Sequence, residues 1–570
     1  MNGSDLATRP GTQRHDLATG RRPSTLSLIV GQFRYANRSF WRTPVAAFFT
    51  LVFPTTFLVV ICAIAGNAPV DDRSGVRLAQ FLTPVFAVFG VCMASFVSLA
   101  LGVAYSREAG VLKRLRATPL PPWVHLAGRL VTAVFVSLVA VVLVVGIGMA
   151  FYGVDIVWRT LPAVLLTLVV GVTCFAALGM AAVSITPTPG ATQALANGGL
   201  ILLAFISDVF IVRLPDWLDT VGWFFPLKHF VNAVSDGFNP FLTGNGLYLD
   251  HLAVLVAWGV LGALIALRFF TWEPHSERSH GRGRRSADRP AETVAGARLS
   301  DGGTAVGVLS PVVVAGPRSA VRLVIGQVRF TVTGLLRDPM SVFFAVVFPV
   351  VLLVFFSAIY GREVIWGGLP LPQYLAAAFS VYGVAVMSYV NLSAAVADDR
   401  SRGVLKRLRG TPLPPWGYVA GRIGGAIVLG LLTVLLVFGV GAALFGVRVG
   451  WLALPTTLLV FVVVIGCSAS LGLLLACLVD STQSVLALAL GTLLPLSMIS
   501  DIFVNSPGLP PFLSGLAWAF PLRHMARAAA TASSGQVLGA AWLIDLVVIA
   551  LWGLVAAVLA WRLFRWEPRR

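Results

Sequence analysis

The densest reactive chemistry in this sequence sits in two basic stretches. Residues 110–123 read GVLKRLRATPLPPW and residues 403–416 read GVLKRLRGTPLPPW, differing only at Ala117 and Gly410. Of the three lysines in 570 residues, Lys113 and Lys406 lie here, and the third is Lys228. As short helices, these runs set Val111, Leu112 and Leu115 beside Lys113, Arg114 and Arg116. In the second copy Val404, Leu405 and Leu408 stand beside Lys406, Arg407 and Arg409. The TPLPP that follows stops each helix, because proline removes a donor and restricts the residue before it. Each copy therefore reads as a stiff basic knuckle led by Gly110 or Gly403. A basic segment that only sets topology needs charge but no fixed order. The copied order points to a docking surface.

Other chemistry is thinly represented. A phosphate-binding loop needs Gly-Lys-Ser/Thr, and none of the three lysines follows a glycine. There is no HExxH and no GxSxG, and the seven histidines are dispersed. The five cysteines (Cys62, Cys92, Cys174, Cys467, Cys477) fall in apolar runs without a CxxC pair, so buried packing residues are expected. No catalytic, cofactor-binding or metal-binding residue is expected. Ionisable groups in apolar runs are functional suspects by default. Asp208 and Asp501 recur in matching Ile-Ser-Asp motifs and read either as cargo-exit or gate contacts, or as helix-end caps or partners of nearby Lys228 or Arg523. His229 and His524 follow those bases in FPLKH and FPLRH, where an interface role is the simpler reading. Gln193, Asn197 and Gln483 are candidate interior hydrogen bonders.

The elements that hold these residues are membrane helices. The chain is 57% hydrophobic and 12% charged, with a mean hydropathy of +0.86. Soluble domains carry about 25% charged residues, so the expected fold is an all-α polytopic membrane protein. A span needs about 20 apolar residues. Spans are expected near 44–65, 80–104, 125–151, 160–185, 190–212 and 247–270. A second set falls near 341–361, 372–397, 418–446, 451–479, 483–504 and 539–563. The halves repeat: Gly31-Gln32 matches Gly326-Gln327, Val52-Phe53-Pro54 matches Val347-Phe348-Pro349, and Phe225-Pro226-Leu227 matches Phe520-Pro521-Leu522. Trp272-Glu273-Pro274 matches Trp566-Glu567-Pro568. An even number of spans per unit makes the twelve helices two parallel six-helix repeats.

The expected organisation is a polar tail at 1–23, a first unit at 24–272, a flexible linker at 273–317 and a second unit at 318–570. With the N-terminus cytoplasmic, 33 of the 42 Lys and Arg fall on cytoplasmic segments and adjoining helix ends, so both knuckles and both termini are expected there. The net charge of +18 thus reflects membrane topology and not nucleic-acid binding. Before each first span an amphipathic helix is expected in the headgroup plane, the first capped by Ser24. Between the fifth and sixth spans, residues 214–238 and 509–532 read as short interfacial or re-entrant helices on the outer side.

The knuckle, the Arg42-Thr43-Pro44 and Arg337-Asp338-Pro339 lead-ins and the ISD…LP…FPL block together resemble the type-2 permease family of ATP-binding cassette transporters. The likeness is to the drug-exporter branch, here as two permease units fused in tandem. It implies a permease moving an amphiphilic drug-like or lipid-like cargo outward through the plasma (inner) membrane. It implies no enzyme activity of the chain itself, with ATP and Mg bound by two copies of a separate ATPase subunit. Carried over, Glu108 and Gly110 to Arg116 are one coupling helix, and Gly403 to Arg409 the other. Two positions depart from the pattern. The acidic lead-in Glu108 is matched by Ser401, with Asp398 and Asp399 upstream, so the two docking sites need not be equivalent. The glycine often found after Ile-Ser is replaced by Asp208 and Asp501.

Two other readings compete. A secondary transporter of the major facilitator type also has twelve spans in two parallel halves. Against it, the first half lacks an Asp-Arg pair before its knuckle and the spans lack proton-coupling carboxylates. A membrane assembly subunit without transport is the third.

Overall fold

The structure is a computed structural model that describes residues 24–65, 67, 76–118, 120–210, 214–271, 317–361, 364–365, 368–411, 413–503 and 509–564. The expected tail, the Trp-Glu-Pro repeat and the linker up to residue 316 lie outside the described residues. So do Pro119 and Pro412 of the two TPLPP runs.

Eleven helices among the described residues are long and apolar enough to cross a membrane. In the first half they are Pro44–Ile64, Leu78–Glu108, Trp123–Tyr152, Leu161–Ile185 and Leu249–Phe269. In the second they are Pro339–Ile359, Leu371–Ser401, Trp416–Phe445, Trp451–Leu478, Thr482–Ile499 and Ala540–Leu563. The twelfth expected span, 190–212, is a shorter helix, Pro189–Phe205, of 17 residues. Its reach is about 25 Å at 1.5 Å per residue. It stops early because the chain leaves the helix at Ile206-Ser207-Asp208, where Asp208 takes the left-handed conformation with φ +59°. Its counterpart ends at Ile499 for the same reason, with Asp501 also at φ +59°. Among the described residues the only strands are Val364–Ile365 and Leu369–Pro370, paired in the loop after the first span of the second half.

The helices that flank the spans form as their sequences require. Thr25–Trp41 begins at Ser24, whose hydroxyl accepts from the Ser27 amide at 3.3 Å. It lies along the third span so closely that a Cβ on Gly128 would come within 2.4 Å of Gln32. Pro317–Leu336 repeats this contact through Gly421 and Gln327. Between its fifth helix and its last span each half folds into two short helices, Asp216–Gly222 with Pro226–Gly237 and Pro511–Ala519 with Pro521–Ser534. Pro226–Gly237 and Pro521–Ser534 are mostly buried against the spans.

Both the first and second spans of each half contain a widened π turn: Phe48–Val52, Met93–Ser98, Phe343–Val347 and Val386–Asn391. Such turns leave backbone carbonyls off the regular helical ladder. Glycines of neighbouring spans press against them. A Cβ on Gly179 would meet the Phe96 carbonyl at 2.7 Å, and one on Gly472 would meet the Ser388 carbonyl at 2.8 Å. Glycine is the only residue that allows this approach.

The two halves share one apolar core, and they join crosswise. The first span of each half packs against the fifth helix of the other. Gly198 faces the Phe343 ring and Gly491 the Phe48 ring, while Phe205 stands against Phe348, Phe355 and Phe356. Leu138, Val142, Leu165, Leu267, Leu435 and Leu458 are exposed on the outside, as a lipid-facing surface requires. This is a multi-pass membrane protein.

Candidate functional site: two basic knuckles

Each knuckle hangs from the end of a second span. Leu78–Glu108 and Leu371–Ser401 are both 31 residues long, so each is a continuous lever of about 46 Å. At its end the chain reverses through Gly110 (φ +67°) or Gly403 (φ +68°), a conformation that L side chains rarely adopt. The helices Val111–Arg116 and Val404–Arg409 follow, as the sequence leads one to expect. Thr118 and Thr411 close them, each hydroxyl donating at 2.7 Å to the carbonyl of Leu115 or Leu408.

The apolar and basic sides divide cleanly. Leu112 is 1% exposed and Leu405 is 0% exposed. Leu112 packs on Leu99, Val103, Ala133 and Val183, which ties the knuckle to the ends of three spans. Val111, Leu115, Val404 and Leu408 are half-buried beside it, whereas Lys113, Arg114, Lys406, Arg407 and Arg409 are exposed. Glu108 and Ser401, the unequal lead-in pair, are also exposed. Both knuckles lie at the end of the bundle where the first and fifth helices begin, because Gly190 there approaches Asp338 of the other half.

Beneath the exposed bases sit residues that the sequence analysis passed over. Arg107 is 1% exposed and donates to the carbonyls of Val183 and Thr186 at 2.8 and 2.7 Å. Arg400 repeats this with Ala476 at 2.8 Å and Val479 at 2.5 Å. Each cations the C-terminal end of a fourth span, where the unpaired carbonyls and the helix dipole favour positive charge. These arginines had been counted among topology-setting charges. Their 293-residue offset was the signal that could have separated them from decoration.

Of the two upstream acids, Asp398 stays on the surface and pairs with Arg402 at 2.9 Å. Asp399 turns inward, pairs with Arg422 of the third span and accepts from the Tyr418 hydroxyl at 2.8 Å. In the first half the matching residues are Ser106, Arg129 and His125. Arg129 donates to Ser106 Oγ at 2.6 Å and to His125 Nε2 at 3.1 Å, and His125 Nδ1 lies 2.8 Å from Gln32 Oε1.

Asp208, Asp501, His229 and His524 gather at the opposite end, away from the knuckles. Asp208 lies 2.9 Å from Lys228 Nζ, and Asp219 holds the same ammonium at 2.5 Å. Burial raises the Asp208 carboxyl above its ordinary range despite Lys228, while the Lys228 hydrogen bond holds the more exposed Asp219 below it. Asp501 receives Arg523 at 2.7 Å. These are the ion-pair partners that the sequence named as the alternative to a gate. Both residues occupy left-handed backbone, a conformation that aspartate adopts more readily than most side chains. His229 bridges the Trp223 carbonyl (2.8 Å) and His251 (2.9 Å), and His524 bridges the Trp518 carbonyl (3.0 Å) and Asp545 (2.6 Å).

Of the proposed interior hydrogen bonders, Asn197 is buried, Gln193 lies 3.5 Å from the Tyr105 hydroxyl and Gln483 is exposed. The stronger ones were missed. Gln80 donates to the Phe238 carbonyl at 2.7 Å, and its counterpart Gln373 donates to that of Ser533 at 3.2 Å. Among the described residues no group of three or more His, Cys, Asp or Glu could hold a metal ion.

Comparison with known proteins gives two findings. Residues 29–239 and 328–532 each match the family described as ABC-2 type transporter. Similarity also extends to the "Probable multidrug ABC transporter permease YbhR" of Escherichia coli (strain K12) and of Escherichia coli O157:H7. Each is 23% identical over 193 residues, which is 33% of this chain and 48% of the relative. The chain therefore spans about half the length of these curated relatives. The two family matches together cover well over half of the sequence, and this chain belongs to the ABC-2 type transporter family, in tandem duplicate.

Proposed function

We propose that the chain is the membrane-spanning permease of an ATP-binding cassette exporter, driven by two copies of a separate ATPase subunit that bind ATP and Mg. The observation that carries this reading is the pair of knuckles. Each is socketed by a buried leucine and an arginine clamp, and each presents bases at the same end of the bundle. A surface anchored to the span ends in this way is suited to receive a push and to pass it along a helix. Within these 570 residues no lysine lies in a Gly-Lys-Ser/Thr context, so the energy is supplied by the partner.

The charge distribution supports a cytoplasmic position for the knuckles and both termini at the plasma membrane. Cargo is amphiphilic, a drug-like or lipid-like molecule, because the spans offer apolar walls with few fixed charges. The printed name of the Escherichia coli relatives, a multidrug permease, supports the same class.

Replacing Lys113, Arg114, Arg116, Lys406, Arg407 and Arg409 with alanine abolishes capture of the ATPase by the purified chain while membrane insertion is kept. Unchanged capture would sink the docking reading. Cargo-stimulated ATP hydrolysis by the reconstituted complex checks transport itself, and a response to a proton gradient alone would favour the secondary-transporter alternative.

A further inference from the structure

The two knuckles have nearly the same sequence, yet their supports differ at matching positions. In the second half the end of the second span is tied to the third by a carboxylate on a guanidinium. Asp399 meets Arg422, side chains 16% and 8% exposed, and the Tyr418 hydroxyl joins the same carboxylate. In the first half Ser106 replaces the carboxylate, and His125 replaces the tyrosine. Arg129 is left with neutral acceptors, a hydroxyl and an imidazole nitrogen, and the chain of bonds runs on to Gln32 of the interfacial helix.

The guanidinium makes charge-assisted hydrogen bonds in both halves, but only Asp399 adds an opposite charge, whose Coulomb attraction is strengthened by burial. Removing one partner of a buried pair also leaves the other charge uncompensated. At the outer end the halves also differ, but with no common sign: His524 meets the Asp545 carboxylate at 2.6 Å where His229 meets the His251 ring at 2.9 Å, whereas Lys228 of the first half is held by two carboxylates, Asp208 and Asp219.

We propose that the knuckles are unequal joints, with Asp399, Arg422 and Tyr418 as positioning residues that make the second-half knuckle rigid and leave the first-half knuckle compliant. The consequence for transport rests on the permease reading above, since only a driven knuckle has a stiffness that matters. On that reading the first half yields first under load and passes the movement through Gln32 to the helix Thr25–Trp41. The second half acts as the fixed jaw.

The test needs no ATPase, so its outcome is separate from that of the docking experiment. Amide hydrogen exchange is followed by mass spectrometry on the full chain in nanodiscs, comparing residues 103–118 with 396–411. The first stretch is expected to exchange about tenfold faster, the scale set by one strong local interaction. Asp399→Ser brings the second stretch up to the rate of the first, and Asp399→Glu restores most of the protection. Equal exchange in the unsubstituted chain, or a difference that survives Asp399→Ser, overturns the proposal. Should Asp399→Ser fail to fold, Ser106→Asp decides: it places a carboxylate beside Arg129 and slows exchange in 103–118. No slowing there overturns the proposal as well.

Discussion

Asp501 shows how one residue can combine a backbone demand with a charge. Its φ of +59° suits glycine or asparagine as well as aspartate, while its carboxylate balances Arg523, 12% exposed. The two contributions separate by substitution. Asp501→Gly keeps the backbone but strands the guanidinium, a loss of roughly 3–5 kcal/mol by the usual cost of breaking a buried pair. Asp501→Ala adds backbone strain of about 1–2 kcal/mol for a β-carbon in the left-handed region. Thermal unfolding in detergent should therefore rank the native residue above glycine, and glycine above alanine. An alanine variant as stable as the glycine variant would show that the backbone contributes nothing. The motif and its charged neighbour were both readable in the sequence. Their pairing was readable only as one of the alternatives, because Arg523 stands 22 positions further on, in a separate buried helix, Pro521–Ser534.

At the level of elements, the contacts between spans are decided by glycines and widened turns. Gly179 and Gly472 lie against backbone carbonyls that cannot swing aside. Gly179→Val or Gly472→Val should destabilise the protein by about 1–3 kcal/mol, the range for overpacking a tight contact. Gly146 and Gly439 are also in long spans, but nothing lies within 4 Å of a Cβ at either. Alanine there should leave the apparent melting temperature unchanged or raise it. If the two pairs of variants behaved alike, the π turns would have no part in packing. Hydropathy located these spans to within a few residues, because a lipid-facing helix has to be apolar over its length. It could not find the π turns, since an inserted residue does not change composition. Nor could it find where the fifth helices stop: Ile206 and Ile499 are as apolar as the helix before them, and the break lies in the conformation of the next aspartate.

For the whole molecule the decisive feature is the crossed joint, in which the first span of each half lies against the fifth helix of the other. With that joint apolar and continuous with the core, the halves should associate without a covalent link. Co-expression of 1–272 and 318–570 as separate tagged chains should give a complex that survives purification in mild detergent. Recovery of each half alone would mean that the linker, and not the Phe205 and Gly198 contacts, holds them together.

The repeat, the parallel orientation and the two basic knuckles follow from sequence alone. They depend on residue identity at a constant offset and on apolar length, both of which survive without knowledge of contacts. The unequal acidic lead-in was visible there too, as Glu108 against Ser401 with Asp398 and Asp399 upstream. What the structure adds is the contrast between Asp399 and Ser106 in what each one meets. Only tertiary structure could decide this, because their partners, Arg422 and Arg129, lie 23 residues away on another span. Whether an acid faces solvent, as Asp398 does, or a buried guanidinium, as Asp399 does, depends on which side of the helix the neighbouring span covers. Adjacent residues on one helix share composition, but they do not share a neighbour.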